Sequence, residues 1–254
     1  MNVVVCVKQI PDPASPGRLD PATNTLVREG KLILDDSDAY GVEMALQLVD
    51  KAGSGEVTLV SMAPNNEVSG LRTALAMGAH KAILVSDDSL KGADALTTAK
   101  VLAGAIGRAS ADLVLAATES TDGYTGTTPV QIAELLGLPS VTFAKHVEID
   151  GSTVKVNRQT EEGFDEVECP LPAVVTVTAG VVEPRYPSFK GIMAAKGKPV
   201  DTLKVGDLGI EAPAVGQQVT DVAAAEERQA GEIVVDEGDA HERIVQFLES
   251  LKVI

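Results

Sequence analysis

The side chains best placed to do chemistry lie in residues 113–137, LVLAATESTDGYTGTTPVQIAELLG. An apolar run, LVLAA, passes into a small polar segment, TESTDGYTGTT, then a proline, then the helical pattern VQIAELLG. That succession reads as strand, loop and helix. The loop offers hydroxyls, backbone N–H groups and one acid, Asp122, at the start of a helix. A helix start with open N–H groups and a positive dipole end suits an anion. Glycines and hydroxyls also let a phosphate approach the backbone closely. Pro129 fits a first-turn position, where its missing N–H is not needed. An ordinary strand-to-helix turn is the competing reading, because tight loops use Gly and Ser/Thr anyway.

A catalytic apparatus does not accompany this loop. The chain has no Gly-x-Ser-x-Gly elbow, no Gly-Lys-Ser/Thr phosphate loop, no H-E-x-x-H and no G-x-G-x-x-G after the first strand. GSGE near residue 53 precedes a strand, which is the wrong context. No lysine, metal ligand or nucleophile adjoins the loop in sequence. Cys6 and Cys169 form no CxxC pair, and His80, His146 and His241 show no ligand spacing. Glu161, Glu162, Asp165 and Glu166 cluster in an apparent edge hairpin and read as a solvated face. The chemistry implied is binding, with catalytic residues and metal both absent from the expectation.

The elements that would position the loop follow from pattern. The chain has 254 residues, enough for one large domain with extensions. Hydrophobic residues make up 44%, aromatics only 3%, and Trp is absent. A core of Val, Leu, Ile and Ala with alternating element types suits a parallel α/β sheet. The net charge of −16 disfavours nucleic acid or an anionic membrane as main partner. No apolar run approaches membrane-span length, so direct membrane insertion is not expected. A reduced, cytoplasmic setting is the default from cysteine usage.

In chain order, residues 2–8 read as a buried central strand. Residues 11–26 have loop chemistry, and so long a loop is usually functional or covered by a partner. The acidic run Asp35, Asp36, Ser37 and Asp38 offers N-cap oxygens to a helix over 39–51. Strands at 56–62, 81–86 and 112–116 alternate with helices at 65–77 and 93–109. This predicts a doubly wound, mostly parallel α/β domain of the Rossmann-like, adenine-nucleotide-binding kind, with right-handed crossovers. Ligands in such sheets sit outside the carboxyl ends of the strands. From residue 140 the pattern turns extended, with a hairpin at Asp150-Gly151, so antiparallel additions are expected. Residues 180–198 carry two prolines, a basic cluster and the short helical piece GIMAAK. The chain from 200 onward reads as an extended acidic arm ending in a helix over 241–252. Its apolar Ile244, Val245, Phe247, Leu248 and Leu251 need a cover, from this domain or from another subunit. The domain division expected is 1–199, including a loop at 177–199, and 200–254.

Several motifs in this sequence resemble the β subunit of electron transfer flavoprotein, over essentially the whole chain. VVCVKQIP at residues 4–11 looks like that family's opening strand and loop. Tyr40, Val42, Glu43 and Ala45 resemble its first helix, here preceded by Asp35 where Asn is usual. LRTALAMG at 71–78 is close to the family form. VNRQTEEGFDEVECPLPAVVT at 156–176 resembles the family signature, with Asp165 in place of Glu or Gln. EPRYPSFKGIMAAKGK at 183–198 looks like the loop that docks onto acyl-CoA dehydrogenases.

The resemblance implies a carrier without chemistry of its own. FAD would be held mainly by an α subunit in an obligate heterodimer. A structural AMP would be bound here by Cys6, Asp35, Asp36, Ser37, Asp38, Met62, Ala117, Thr118, Asp122, Gly123, Thr125, Gly126, Thr127 and Thr128. Electrons would come from dehydrogenases such as those of fatty acid β-oxidation and pass to a quinone-linked oxidoreductase. Phe189 would be the apolar docking anchor, with Ile192 and Met193 beside it. Arg185, Lys190, Lys196 and Lys198 would form a basic rim. Two other readings stand beside this one: a bifurcating relative with a second FAD in place of AMP, since Asp122-Gly123-Tyr124-Thr125 is partway to the D-G-D-T of such proteins, and a stand-alone nucleotide-binding or hydrolysing α/β protein.

Overall fold

The structure is a computed structural model that describes residues 1–15, 17–63, 65–210, 214–223, 231 and 233–254. The chain forms two compact units, 1–220 and 221–254.

The first unit is built on a nine-stranded sheet of order β11-β5-β4-β1-β6-β10-β7-β8-β9. Its centre is β1 (Asn2–Cys6), whose run of valines suits a strand covered on both faces. Val3 and Val5 point into one core layer and Val4 and Cys6 into the other. Each fully buried valine contributes about 2 kcal/mol by leaving water. On one side β1 pairs in parallel with β4 (Glu56–Met62), which pairs with β5 (Lys81–Val85). On the other side it pairs in parallel with β6 (Leu113–Ala117), and β6 with β10 (Ala173–Val177). The helices α1 (Asp36–Ala52) and α2 (Ser69–Met77) supply the Val3/Val5 layer. The helices α3 (Ala95–Ile106) and α4 (Thr128–Leu136) supply the Val4/Cys6 layer. Because the chain moves outward through β4 and β5 and then returns to the far side of β1, the strand order reverses between β1 and β6. That reversal is a topological switch point, and the loops after these two strands open there.

The expected doubly wound α/β sheet with antiparallel additions is therefore what forms. The additions are one long strand, β7 (Ser140–Asp150), with β8 (Thr153–Gln159) and β9 (Phe164–Pro170), paired antiparallel. β7 begins in parallel with β10, then shifts register at a bulge where Phe143 takes φ +59 and donates its backbone N–H to Thr176 Oγ1 at 3.0 Å. Past the bulge, Val147, Val154, Val156 and Cys169 join the core layer of α1. The three-stranded ribbon thus closes over that helix.

Just past residue 199, β11 (Val200–Leu203) pairs in parallel with β5 along its whole length. The first unit runs to Thr220. A small ribbon of β2 (Gln9–Pro11) and β3 (Leu32–Leu34) spans the two ends of the long loop 12–31. In the second unit α6 (Ala240–Ser250) forms where the C-terminal helix was expected, and it buries none of its residues. Part of the expected polar arm, residues 211–213 and 224–230, lies outside the described residues.

Candidate functional site

The loops after β1 and β6 meet at the switch point through a set of charged groups. Lys8, two residues beyond β1, donates its backbone N–H to Asp38 Oδ2 at 2.6 Å. Its ammonium donates to Ser120 Oγ at 3.1 Å and to Asp122 Oδ1 at 2.6 Å. Arg28, on the long loop 12–31, reaches the other Asp122 oxygen. Asp122 is nearly buried, its side chain 7% exposed, between two cations that remain 40% and 35% exposed. Burial pushes its pKa up, but the hydrogen bond and charge of Lys8 and the charge of Arg28 outweigh that and leave it below the ordinary 3.8.

Asp35 ties the same loop to α1. It is the N-cap of α1, accepting from Ser37 N at 3.0 Å, and its other oxygen accepts from Thr121 N at 2.8 Å and Thr121 Oγ1 at 3.1 Å. Asp35 is fully buried. Its carboxylate thus holds loop 118–127 against the helix. Asp38 is also buried, and burial raises its pKa well above the ordinary carboxylate range despite backbone hydrogen bonds from Lys8 and Ala117. Cys6, the last residue of β1, is pushed up to about 12 by burial and then by the neighbouring Asp38 charge. A thiol so protonated is a packing group and no nucleophile.

The start of α1 is thus occupied by the chain's own acid, whereas the start of α4 is open. Its N-cap, Thr127, makes no side-chain capping bond, and Pro129 sits in the first turn. Residues 123–127 are exposed, and Thr128 is half-buried. Tyr124 and Gly126 take φ +47 and +68, and the Tyr124 N–H donates to Ser120 O at 3.0 Å. Ser37, Thr118 and Met62 are half-buried and Asp36 is exposed. Met62 lies at the end of β4, packed on the α3–α4 layer. The strand ends and loops thus bring most of the expected binding residues to one sheet edge. The observations that bear on whether an adenine nucleotide fits are the uncapped α4 start, the exposed hydroxyl loop and the partly exposed cations Lys8 and Arg28, and all three suit its phosphate.

Lys8 and Arg28 are the site residues that sequence reading passed over. The loop seemed to have no lysine because none is adjacent in the chain; both cations come from more than 90 residues away. The signal available was their position: Lys8 follows a central strand, and Arg28 lies in an unusually long loop.

The expected docking segment is a separate feature. Its helix, α5 (Phe189–Ala195), is capped by Ser188, whose Oγ accepts from Gly191 N at 3.0 Å. Arg72 on α2 donates to Ala195 O at 2.7 Å and Lys198 O at 2.8 Å. Lys198 in return donates to Leu75 O at 2.9 Å, in the last turn of α2, and to Ala79 O at 2.6 Å, just beyond it. Arg185 grips Glu43 on α1 through Nε at 2.6 Å and NH2 at 3.0 Å. Two of the four expected rim cations, Arg185 and Lys198, are therefore taken up in mounting the segment. Lys190 and Lys196 are exposed, as are Ile192 and Met193, and Phe189 is 81% exposed.

Among the described residues there is no group of His, Cys, Asp and Glu able to hold a metal ion. No helix among them is long and apolar enough to cross a membrane. The fold defines a doubly wound α/β protein, a kind that binds ligands at a topological switch point. The Electron transfer flavoprotein domain model matches residues 23–208. The electron transfer flavoprotein subunit beta of Mycobacterium tuberculosis (strain ATCC 25618 / H37Rv) is 40% identical over 264 residues, covering 100% of this chain and 99% of its own length. That of Thermoanaerobacterium thermosaccharolyticum is 37% identical, covering 99% and 98%. Subunit CarD of the caffeyl-CoA reductase–Etf complex of Acetobacterium woodii is 38% identical over 218 residues, covering 85% and 83%. The chain belongs to the electron transfer flavoprotein β-subunit family, whose role is electron transfer with a flavin and an α-subunit partner.

Proposed function

We propose that this chain is the β subunit of a cytoplasmic, heterodimeric electron carrier. Its FAD is held mainly by the α subunit, and its own switch-point cleft holds a structural AMP. The observation that carries the nucleotide assignment is the contrast between two helix starts at one sheet edge: α1 closed by Asp35, α4 without a side-chain cap at the end of the loop whose Asp122 holds Lys8 and Arg28. Loop 118–127 and α4 would hold the phosphate, with the hydroxyls of Thr125, Thr127 and Thr128 in reach. When bound, the flavin supplies the redox chemistry. This chain's residues hold the nucleotide, support the partner subunit and present α5 to the electron donor. Donors are dehydrogenases such as acyl-CoA dehydrogenases, and the acceptor is a quinone-linked oxidoreductase. Exposed Phe189, Ile192 and Met193, flanked by Lys190 and Lys196, supply the apolar anchor and charged rim that such docking uses.

A second reading, a bifurcating subunit with FAD in the same cleft, is favoured by the likeness to CarD, named for a caffeyl-CoA reductase–Etf complex. Co-expression with the α subunit, denaturation and chromatography of the released nucleotides separates the two. One FAD and one AMP per heterodimer is the expected result. Two FAD would replace this reading with the second, and neither AMP nor a second FAD would end the nucleotide assignment.

A further inference from the structure

Two cations share a single carboxylate at the switch point. Asp122 contributes one carboxylate; Lys8 and Arg28 contribute two cations, both converging on it. Of the three ammonium donors of Lys8, two are directed at Ser120 Oγ and Asp122 Oδ1. Arg28 directs one guanidinium nitrogen at Asp122, with side-chain exposure of 35%. Both cations therefore retain donors at the mouth of the cleft, while the acid beneath them is nearly covered.

The other acids nearby do not compete for those donors. Asp35 is fully buried and accepts from Ser37 and Thr121. Asp38 is buried and accepts the Lys8 backbone N–H. Glu119, three residues before Asp122, is exposed with its carboxylate beside Gly126, and it forms no ion pair with Lys8 or Arg28. A metal cation has no place at a carboxylate already shared by two cations. An anion does, and the open start of α4 follows six residues after Asp122.

We propose that Lys8 and Arg28 recognise the 5′-phosphate of the adenine nucleotide in this cleft, with Asp122 as the counter-ion that seats them. The inference rests on the nucleotide reading above and adds the groups that distinguish a nucleotide from a nucleoside. Arg28 has a second consequence. It belongs to loop 12–31, so a phosphate held by Arg28 also fastens that loop across the cleft. The shared chemistry is an adenosine 5′-phosphate group, carried either by AMP or by the ADP half of FAD.

The test titrates the heterodimer, stripped of its cleft nucleotide, with AMP, FAD and adenosine. Arg28→Gln is the informative variant, since Arg28 lies on a surface loop and its loss leaves the sheet intact; Lys8→Gln and Arg28→Lys accompany it. Arg28→Gln and Lys8→Gln are each expected to weaken AMP about tenfold, the loss of one charge-assisted hydrogen bond. Adenosine affinity should stay unchanged, and Arg28→Lys should recover most of the AMP binding. FAD weakening in step with AMP extends the assignment to the diphosphate; FAD unaffected while AMP weakens assigns the cations to the monophosphate. Unchanged AMP affinity in both glutamine variants, or an equal loss for AMP and adenosine, overturns the proposal while leaving the nucleotide reading in place. A wild-type heterodimer that binds neither AMP nor FAD in the cleft overturns both.

Discussion

Gly191 is where α5 meets α2 main chain to main chain. A Cβ on it would lie 2.4 Å from Ala76 O, a distance no carbon adopts against a carbonyl oxygen. The residue is therefore fixed by close approach, in a helix whose other side chains, Ala195 apart, face solvent. Gly191→Ala is expected to push α5 off α2 and lower stability by roughly 1–3 kcal/mol, the usual cost of overpacking. Thermal unfolding of the heterodimer reads this directly, and an unchanged midpoint would mean that Ala76 yields instead. Lys198 carries a related signature at the same contact. Burial against the carbonyls of Leu75 and Ala79 lowers its pKa below the ordinary 10.5, as expected of an ammonium placed for structure.

Helix α1 joins features that are distant in sequence. At its first turn Asp35 holds loop 118–127 through Thr121; two turns on, Glu43 holds segment 183–198 through Arg185; near its end Lys51 meets Glu148 of the ribbon at 2.7 Å. Glu43 is nearly buried. Burial raises its pKa, but hydrogen bonds from Arg185 and Gln47 outweigh this and leave it below the ordinary 4.5. In acid the folded chain thus binds fewer protons at this site than the unfolded chain. The stabilisation is complete above pH 4.5 and is lost as the pH falls below it. Glu43→Gln is expected to cost about 2 kcal/mol at neutral pH and to flatten the acid limb of the stability curve. Parallel acid limbs for wild type and variant would contradict this role. The elements themselves were legible in the sequence, because β1, β4, β5 and β6 are short apolar runs between amphipathic helices. The edge strand β11 was not, since VDTL carries a weak pattern and draws its order from pairing with β5. Nor was the convergence of Lys8, Arg28 and Asp122, which depends on where a long loop crosses a sheet edge. Asp122 and the hydroxyl loop could be read because their partners, a strand and a helix start, are adjacent in the chain.

At the scale of the whole molecule, a chain of net charge −16 presents Lys190 and Lys196 beside an exposed phenylalanine. Phe189→Ala is expected to slow electron transfer from a dehydrogenase about tenfold while FAD and AMP content stay unchanged. Added salt should slow the wild type by weakening the encounter, since exposed charges are screened within about 8 Å at physiological ionic strength. Unaltered transfer by the variant would remove Phe189 as anchor. The mount beneath α5 grips it almost wholly through backbone: Arg72 takes two carbonyls at its C-terminal side, and Gly191 lies against a third on α2. Folding therefore places little demand on the outward residues Phe189, Lys190, Ile192 and Met193. Under the docking role proposed above, their identities are free to follow whichever redox partner a lineage acquires, so partner choice can evolve, or be redesigned, as an interchangeable face on an unaltered scaffold.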